Sequence, residues 1–225
     1  MEGPTPRILF ENGSLIVCVK PAGVLSEENG GKRSMPLMLR ALSEARGEKD
    51  ARFFSVHRLD REVGGVMVWA KDQKTAAILS EAIRARQMEK EYLAVVRGTP
   101  EEEGVYEDLL FRDSRTMKTY VTDRMRRGVR PAKLSFKRLA TARDETGNVL
   151  SLVRVKLYTG RTHQIRVQFA SRGTPLCGDG RYGSGDGGDR PALFSARLAL
   201  PGVFDCSAEP EGAPFTLFGA QKSGE

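Results

Sequence analysis

Short apolar runs of strand length recur along most of this chain. The stretch ILFENGSLIVCVKPAG reads as two strands around an Asn12-Gly13 turn, and residues 66–70 and EYLAVVRG form two further runs. From residue 149 to 158 apolar and polar positions alternate, which indicates a strand with one buried face. Residues 117–122 and 133–138 are also predicted to be strands, with the loop DRMRRGVRP between them.

Three other segments favour helices. Ser34 is predicted to cap the first, which has Pro36 in its first turn and ends at Gly47, and Asp72 is predicted to cap the second. The third helix, in TGRTHQIRVQFASRG, is predicted to be capped by Thr162 and to end at Gly173. The apolar faces expected for the first two helices consist of Leu37, Met38, Ala41, Leu42 and Ala45, and of Ile78, Leu79, Ala82 and Ile83.

These elements fit an α+β fold better than a doubly wound one. The strands outnumber the helices and do not alternate with them regularly, as a parallel α/β sheet would require. We therefore expect a largely antiparallel sheet flanked by helices. A length of 225 residues suits one sizeable domain or two small ones, and we expect a single domain over residues 1–225.

The excess of positive charge is confined to one segment. Residues 112–138 contain ten Lys and Arg against two Asp, a net charge of +8, whereas the whole chain has a net charge of +7. This concentration favours a nucleic-acid surface, and Arg126, Arg127 and Arg130 are the candidate contacts in its loop. A solvated strand face is the alternative interpretation.

Several functional classes find no support in the sequence. Cys18, Cys177 and Cys206 are far apart and form no disulfide framework or zinc motif, which fits a reducing compartment. No apolar run approaches the roughly 18 residues of a membrane span, and the start lacks a signal-peptide pattern. We therefore expect a cytoplasmic protein.

The G-x-G-x-x-G match at 178–183 is followed by SGDGGDRP, so a loop is predicted there rather than a nucleotide-binding turn.

One carboxylate stands out because of its neighbours. The stretch SVHRLDREVGGVMVWAK surrounds Asp60 with basic side chains, and an aspartate in such a place is most often a surface ion pair. A second cationic cluster, GRTHQIR, lies at a predicted strand-to-helix turn, where Arg161 and Arg166 could meet a carboxylate or a phosphate. An aspartate held by an arginine stays ionised and can act as a nucleophile or base. These residues alone leave both interpretations open.

The two histidines, His57 and His163, both lie close to arginines. Two histidines without an adjacent carboxylate pair do not predict a metal site, and the G-x-S-x-G elbow of a serine hydrolase is missing. Hydrogen bonding to RNA or to neighbouring backbone is the expected use. We therefore group both histidines with Arg161 as candidate RNA-binding residues.

Four stretches together resemble the RluA-type RNA pseudouridine synthases. They are ILFENGSLIVCVKPAG, HRLDREVGGVMVWAK, KEYLAVVRG and GRTHQIRVQFASRGTPLCGDGRYG, and they follow the order of that family over about residues 8–200. The resemblance implies a mixed, mainly antiparallel sheet flanked by helices. It also implies isomerisation of uridine to pseudouridine within ribosomal or transfer RNA, without a cofactor or metal.

The resemblance assigns roles to four residues. Asp60 matches the catalytic aspartate that attacks the target uridine, and Tyr92 matches a tyrosine that stacks on the flipped base and is implicated in proton handling. Arg166 matches the basic residue that pairs with the aspartate. Arg58 matches an arginine that enters the RNA and helps to displace the base. Attack on the ribose and attack on the uracil ring both remain open.

Three positions depart from the family pattern. Val63-Gly64-Gly65 stands where Thr-Ser-Gly is common, which removes two hydroxyl groups near Asp60. Gln168 stands where His is frequent, and Ser195-Ala196 replaces a common His-Ala. The small N-terminal RNA-binding module of many members is also expected to be missing, so RNA binding would depend on the catalytic domain and residues 112–138.

Two other functional classes remain open. A non-catalytic RNA-binding protein could have kept the fold. A glycosidase-like hydrolase could use Asp60 as its nucleophile with a second carboxylate, for which Glu62 and Glu89 are nearby in sequence. The expected partner is RNA, and we expect a monomer that needs neither a membrane nor an obligatory protein partner.

Overall fold

The structure is a computed structural model that describes residues 5–183, 188 and 190–219. The loop predicted around the G-x-G-x-x-G match therefore lies partly outside the described residues, at 184–187 and 189. In chain order the strands are β1 Arg7–Glu11, β2 Leu15–Lys20, β3 Phe54–Ser55, β4 Gly64–Ala70, β5 Glu89–Arg97, β6 Glu103–Asp113, β7 Lys118–Thr122, β8 Val129–Arg143, β9 Val149–Leu157, β10 Leu193–Leu200 and β11 Phe204–Ser207. The helices are α1 Met35–Ala45, α2 Gln73–Arg84 and α3 Gln164–Ala170, with a 3-10 turn at Phe215–Phe218.

The chain divides into two compact units, and the first consists of Met1–Lys90 and Ser195–Glu209. Its strands have the order β1-β2-β4-β10, with β3 added to β4 and β11 to β10. The β1–β2 turn is closed by Asn12, whose Oδ1 accepts hydrogen bonds from the backbone N–H groups of the second and third residues after it. Strand β4 is buried along its whole length, and α2 packs against β3 and β4.

The second unit consists of Glu91–Phe194 and Pro210–Glu225. Its strands have the order β5-β9-β8-β6-β7, and each neighbouring pair is antiparallel. Helix α3 packs against β6 and β7. Phe169 of α3 lies edge-on to Phe136 of β8, with ring centroids 5.3 Å apart, and to Tyr106 of β6, with centroids 5.2 Å apart. This aromatic contact fixes the helix that carries the GRTHQIR arginine.

The α+β fold with a mainly antiparallel sheet is confirmed, and most predicted strands are found at their positions. Strand β8 is longer than predicted, because it begins at Val129 and takes in the end of the predicted loop. Strand β6 was not predicted. Its eleven residues include two Glu and two Asp, and half-buried positions alternate with exposed ones over its first part, so its apolar signal is weak.

The helix positions are confirmed, but the predicted apolar face of α1 is wrong. The buried positions of α1 are Met35, Pro36, Leu39 and Ser43, whereas three predicted members, Leu37, Ala41 and Ala45, are exposed. Helix α1 is amphipathic, but its apolar residues occupy more than half of the circumference. The pattern therefore did not specify which side is buried.

Two further helix predictions have mixed outcomes. Asp72 caps α2 as predicted, since its carboxylate accepts a hydrogen bond from Thr75 N at 2.8 Å. Leu79 and Ala82 are buried, but Ile78 is 57% exposed. The predicted cap of α3 at Thr162 is wrong, because the N-cap is the next residue, His163, which has a left-handed backbone conformation with φ +54°. No helix in the described part of the chain is long and apolar enough to cross a membrane.

Candidate active site

Asp60 lies half-buried in the loop that joins β3 to β4. The residues on either side of it are anchored, because Leu59 and Val63 are buried. Val63 N donates a hydrogen bond to Asp60 O at 3.1 Å. Ser26 Oγ accepts from Leu59 N at 3.1 Å and donates to Leu59 O at 3.0 Å. The backbone of the proposed nucleophile is therefore held in place by the first unit.

A buried cation, Lys20, lies next to this loop, and the sequence analysis missed it. The side chain has no exposed surface, and its Nζ donates to the carbonyl oxygens of Pro21, Val24 and Arg61 at 3.0, 2.6 and 3.0 Å. Burial lowers the pKa of Lys20 to about 8, while the negative charges of Glu62 and Asp60 act in the opposite direction. The amine is thus largely protonated at neutral pH, and its three donors are all used.

A sequence signal for Lys20 did exist. It ends the apolar strand LIVCVK, next to Pro21, and a lysine at a buried strand position needs polar partners. The partners are three backbone carbonyls, which the side-chain pattern does not show.

The unusual Val63-Gly64-Gly65 stretch leads into β4, which begins at Gly64. Gly65 has a φ of +123°, and a Cβ there would lie 2.3 Å from Ser195 O and 2.4 Å from Ser195 N. This position therefore requires glycine. Ser195 Oγ donates a hydrogen bond to Val66 O at 3.0 Å. The serine that replaces a common histidine thus ties β10 to β4 immediately after the glycine pair.

The two predicted RNA contacts of the HRLD motif have different environments. Arg58 is 69% exposed, and its guanidinium lies 3.6 Å from Glu27. His57 is partly buried, and its Nε2 accepts a hydrogen bond from Val68 N at 3.1 Å. Burial, together with the positive charge of Lys90, lowers the pKa of His57 to about 3, so the imidazole is neutral. One ring nitrogen of His57 is therefore used within the protein.

Tyr92 and Arg166 belong to the second unit, whereas Asp60 belongs to the first. Tyr92 is buried in β5, where it stands opposite Val155 of β9. Arg166 is buried in α3 and forms a bidentate ion pair with Asp179, with Nε–Oδ2 and NH2–Oδ1 distances of 2.7 and 2.8 Å. Pairing of Arg166 with Asp60 remains a prediction.

Asp179 was missed by the sequence analysis, which assigned residues 178–183 to a loop without a role. These residues do form turns. However, the Asp179 side chain is fully buried against Arg166, and Tyr182 N donates to its Oδ1 at 3.3 Å. The signal was an acidic residue in CGDGRYG, thirteen residues after Arg166. Only the folded chain shows that the two meet.

A hydrogen-bonded network surrounds His163. Its Nδ1 lies 2.8 Å from the Tyr182 hydroxyl, which also accepts from Thr119 N at 2.9 Å. The Arg166 guanidinium lies over the Tyr182 ring, 5.2 Å from its centroid. Tyr182 therefore joins the start of α3, strand β7 and the Arg166 ion pair into one rigid assembly.

Arg161 anchors the turn before α3. Its Nε donates to Pro131 O at 2.9 Å, and its backbone N donates to Gln164 Oε1 at 3.1 Å. Gln164 is buried and donates to Lys133 O at 3.1 Å. These bonds fasten the turn to β8, and the side chain of Arg161 remains partly exposed.

The basic segment, residues 112–138, covers the end of β6, strand β7, the following loop and the start of β8. Arg126, Arg127 and Arg130 are exposed. The Arg126 guanidinium lies 4.6 Å from the centroid of the Phe111 ring. Of the ten cationic side chains in this segment, Lys133 forms an ion pair in the described part of the chain, and its Nζ lies 2.6 Å from Glu107 Oε1. Within the described part of the chain, most of the positive charge of this segment is therefore not paired with a carboxylate.

The described residues contain no group of three or more His, Cys, Asp or Glu side chains that could hold a metal ion. The first unit contains the anchored Asp60 carboxylate and the buried Lys20. The second unit contains the buried Arg166 and Tyr92 and the exposed cations of the basic segment.

The chain is similar in sequence to known proteins. A sequence model of RNA pseudouridylate synthases matches residues 14–171. Ribosomal large subunit pseudouridine synthase D of Nitrosomonas europaea is 34% identical over 198 residues, which cover 87% of this chain and 54% of that protein. Ribosomal large subunit pseudouridine synthase C of Escherichia coli (strain K12) is 35% identical over 179 residues, which cover 78% of this chain and 53% of that protein. The chain thus spans about half the length of these curated relatives.

The fold is also found among solved structures. Human RNA Pseudouridylate Synthase Domain Containing 4 superimposes with a TM-score of 0.74 over 91% of this chain and 88% of that chain, at 24% identity. The family match covers the Asp60 loop, β5 and the GRTHQIR turn. The chain therefore belongs to the RluA-type RNA pseudouridine synthase family, as its four motifs predicted.

Proposed function

We propose that this protein is an RNA pseudouridine synthase with Asp60 as its nucleophile. The observation that carries the proposal is the position of Asp60, on an anchored loop of a chain that belongs to this family. A half-buried carboxylate lies in a loop whose flanking residues are anchored and whose neighbouring carbonyls bind a buried lysine. A surface ion pair would not need this framework, whereas a nucleophile needs a fixed position.

The reaction exchanges one glycosidic bond for another. The bond between the ribose C1′ and the uracil N1 breaks, the uracil rotates within the pocket, and a new bond joins C1′ to C5. The hydrogen on C5 leaves as a proton, and N1 gains a proton, so atoms and charge balance. Asp60 starts this sequence either by attacking the ribose C1′, as the C1′–N1 bond breaks, or by adding to C6 of the uracil ring. The bond to Asp60 breaks again when the C1′–C5 bond has formed (for addition at C6) or as it forms (for attack at C1′), so the carboxylate is regenerated.

The other candidate residues have proposed roles around this step. Arg166 supplies the positive charge that pairs with the Asp60 carboxylate, and Tyr92 stacks on the flipped uracil and takes part in proton transfer. Arg58, which is exposed, enters the RNA to displace the base. The two units together would then act as the single catalytic domain predicted for residues 1–225.

The proposed substrate is ribosomal RNA, because two relatives are named for the large ribosomal subunit. Transfer RNA is the second substrate class to test. The exposed arginines of the basic segment dock the phosphate backbone, with Arg161, His163 and His57 as additional contacts. We propose that the protein acts as a cytoplasmic monomer without a cofactor or protein partner.

The central experiment measures tritium release from a large-subunit ribosomal RNA transcript that carries [5-³H]uridine. Wild-type protein should release tritium and leave an intact RNA that contains pseudouridine. Asp60→Asn should release at least about a thousandfold less, because the amide is a very poor nucleophile, and should still bind RNA. Near-normal release by this variant would refute the assignment of Asp60.

Asp50→Asn is the matched control. Asp50 is exposed and has a φ of +57°, a conformation that asparagine also tolerates, so this variant should keep full activity. Free uracil as the product would indicate a hydrolase, and binding without tritium release would indicate a non-catalytic RNA-binding protein. Mapping pseudouridines in ribosomal and transfer RNA of a deletion strain would then identify the target.

A further inference from the structure

A shallow cleft beside the Asp60 loop has no role in the mechanism above. Its volume is about 340 Å³, and it is lined by Gly23, Leu25, Asn29, Lys32, Arg33 and Arg61. Three of these residues are cationic and none is acidic. We propose that this cleft binds a backbone phosphate of the RNA next to the target uridine. The inference rests on the proposed function and adds a binding site to it.

The charges around the cleft favour an anionic occupant. Lys32 and Arg33 are exposed and form no ion pair in the described part of the chain. The two acidic residues of the same loop, Glu27 and Glu28, are paired elsewhere. Glu27 lies 3.6 Å from Arg58, and Glu28 forms a hydrogen-bonded pair with Arg40. Glu62 lies 3.5 Å from Arg61 Nε, but the Arg61 side chain is still 67% exposed. The protein's own carboxylates therefore leave Lys32, Arg33 and the exposed part of the Arg61 guanidinium accessible to a phosphate.

The rim of the cleft is ordered by backbone hydrogen bonds. Leu25 N donates to Arg33 O at 3.2 Å, and Met35 N donates to Leu25 O at 2.8 Å. Lys32 N donates to Asn29 O at 3.1 Å and closes a turn through two glycines with positive φ. Because the loop is already folded, a ligand would not have to supply the free energy of ordering it.

Arg61 connects the cleft to the nucleophile. Gly23 N donates to Arg61 O at 2.8 Å, and Arg61 Nε donates to Gly23 O at 3.2 Å. Arg61 O also accepts from the buried Lys20. Because Arg61 directly follows Asp60, a phosphate held by its guanidinium would fix the RNA chain beside the carboxylate. This gives a role to a cation of the HRLDR stretch that the family resemblance leaves unassigned.

The test compares two triple variants that each remove three positive charges from the first unit. K32Q/R33Q/R61Q changes the cleft, and K49Q/R52Q/K74Q changes exposed cations outside it. The affinity for the large-subunit ribosomal RNA transcript is measured by filter binding over a range of NaCl concentrations. The cleft variant should bind about tenfold more weakly than the control variant, and its slope of log affinity against log salt should be shallower by about one to two.

Equal affinities and equal salt slopes for the two variants would overturn the proposal. K32Q/R33Q serves if the triple variant melts early, because both side chains are exposed and the Arg61 contact stays intact. It removes two of the three charges and should show about two thirds of the change in slope. Tritium release by wild-type protein is recorded in parallel. If it is absent while the cleft variant still loses affinity, the isomerase assignment fails and the phosphate site stands.

Discussion

At the scale of single residues, the candidate site depends on buried charges whose partners are fixed. Lys20 is compensated by three carbonyl oxygens, and Arg166 by both oxygens of Asp179. Charges at such depth are tolerated only when they are paired and hydrogen-bonded. These two cations therefore have fixed positions, which a catalytic arrangement requires.

The Arg166–Asp179 pair yields the first prediction. Asp179→Asn removes the carboxylate charge that holds the buried Arg166 guanidinium through two hydrogen bonds, so we expect the free energy of unfolding to fall by about 3 kcal/mol. Tritium release should fall as well, because the guanidinium is no longer oriented. To separate orientation from stability, the rates of Asp179→Asn, Arg166→Lys and the double variant are compared at a temperature where all three are folded. Losses in log rate that simply add would contradict a positioning role for Asp179.

Asp205→Asn is the control for this experiment. Asp205 forms a bidentate pair with Arg197, at 2.8 and 2.7 Å, but its side chain is 59% exposed. Loss of a solvent-screened pair should cost less than about 1 kcal/mol. The difference between the losses in unfolding free energy of Asp179→Asn and Asp205→Asn measures how burial changes the contribution of an Asp–Arg pair to stability.

His57 yields a prediction about pH. Its pKa is lowered to about 3 in the folded protein, from an unfolded value near 6.5. Above pH 6.5 both states are neutral and the group has no effect. As the pH falls below 6.5, only the unfolded state gains a proton, so stability is lost. We compare the wild-type protein with His57→Gln, whose side-chain amide oxygen can still accept a hydrogen bond from Val68 N. When the pH is lowered from 7 to 5, the free energy of unfolding of the wild-type protein should fall by about 1–2 kcal/mol more than that of the variant. Identical pH dependences in urea titrations would contradict this.

At the scale of secondary-structure elements, the contact between β10 and the start of β4, the strand that follows the Asp60 loop, should be intolerant of change. Gly65→Ala would place a methyl group 2.3 Å from Ser195 O and force alanine into a φ of +123°. We expect a loss of about 3 kcal/mol or more in unfolding free energy. Gly13→Ala, at a turn with no atom within 4 Å of the added Cβ, should change stability by less than about 1 kcal/mol. Similar melting temperatures for the two variants would contradict the steric explanation.

The elements also show what the sequence could predict. Strands such as β2 and β9 were predictable because apolar runs and alternation report burial directly. The cap of α3 was misplaced because His163 adopts a left-handed conformation that residue type does not indicate. Asp60 was identified from local sequence and family motifs. Asp179 was not, because its partner lies thirteen residues away, beyond a helix and a glycine-rich turn.

At the scale of the whole molecule, the family's motifs are divided between two compact units. The HRLD motif and Lys20 lie in the first, and the tyrosine of K-E-Y and the arginine of GRTHQIR lie in the second. The chain passes from the first unit to the second within β5, two residues before Tyr92. Mutations that loosen either unit should therefore reduce activity even when they leave every named residue in place.

The distribution of charge over the chain leads to the last prediction. Because the basic segment carries a net charge of +8 and its loop arginines are exposed, it should supply the largest share of the salt-dependent RNA affinity. R126Q/R127Q/R130Q should make the slope of log affinity against log salt shallower by about two to three, whereas K49Q/R52Q/K74Q should change it by less than about one. Both variants carry the same net charge, so a difference in slope reports the position of the charges rather than their sum. If both change the slope equally, RNA senses only the overall charge of the protein, and the basic segment is not its docking surface.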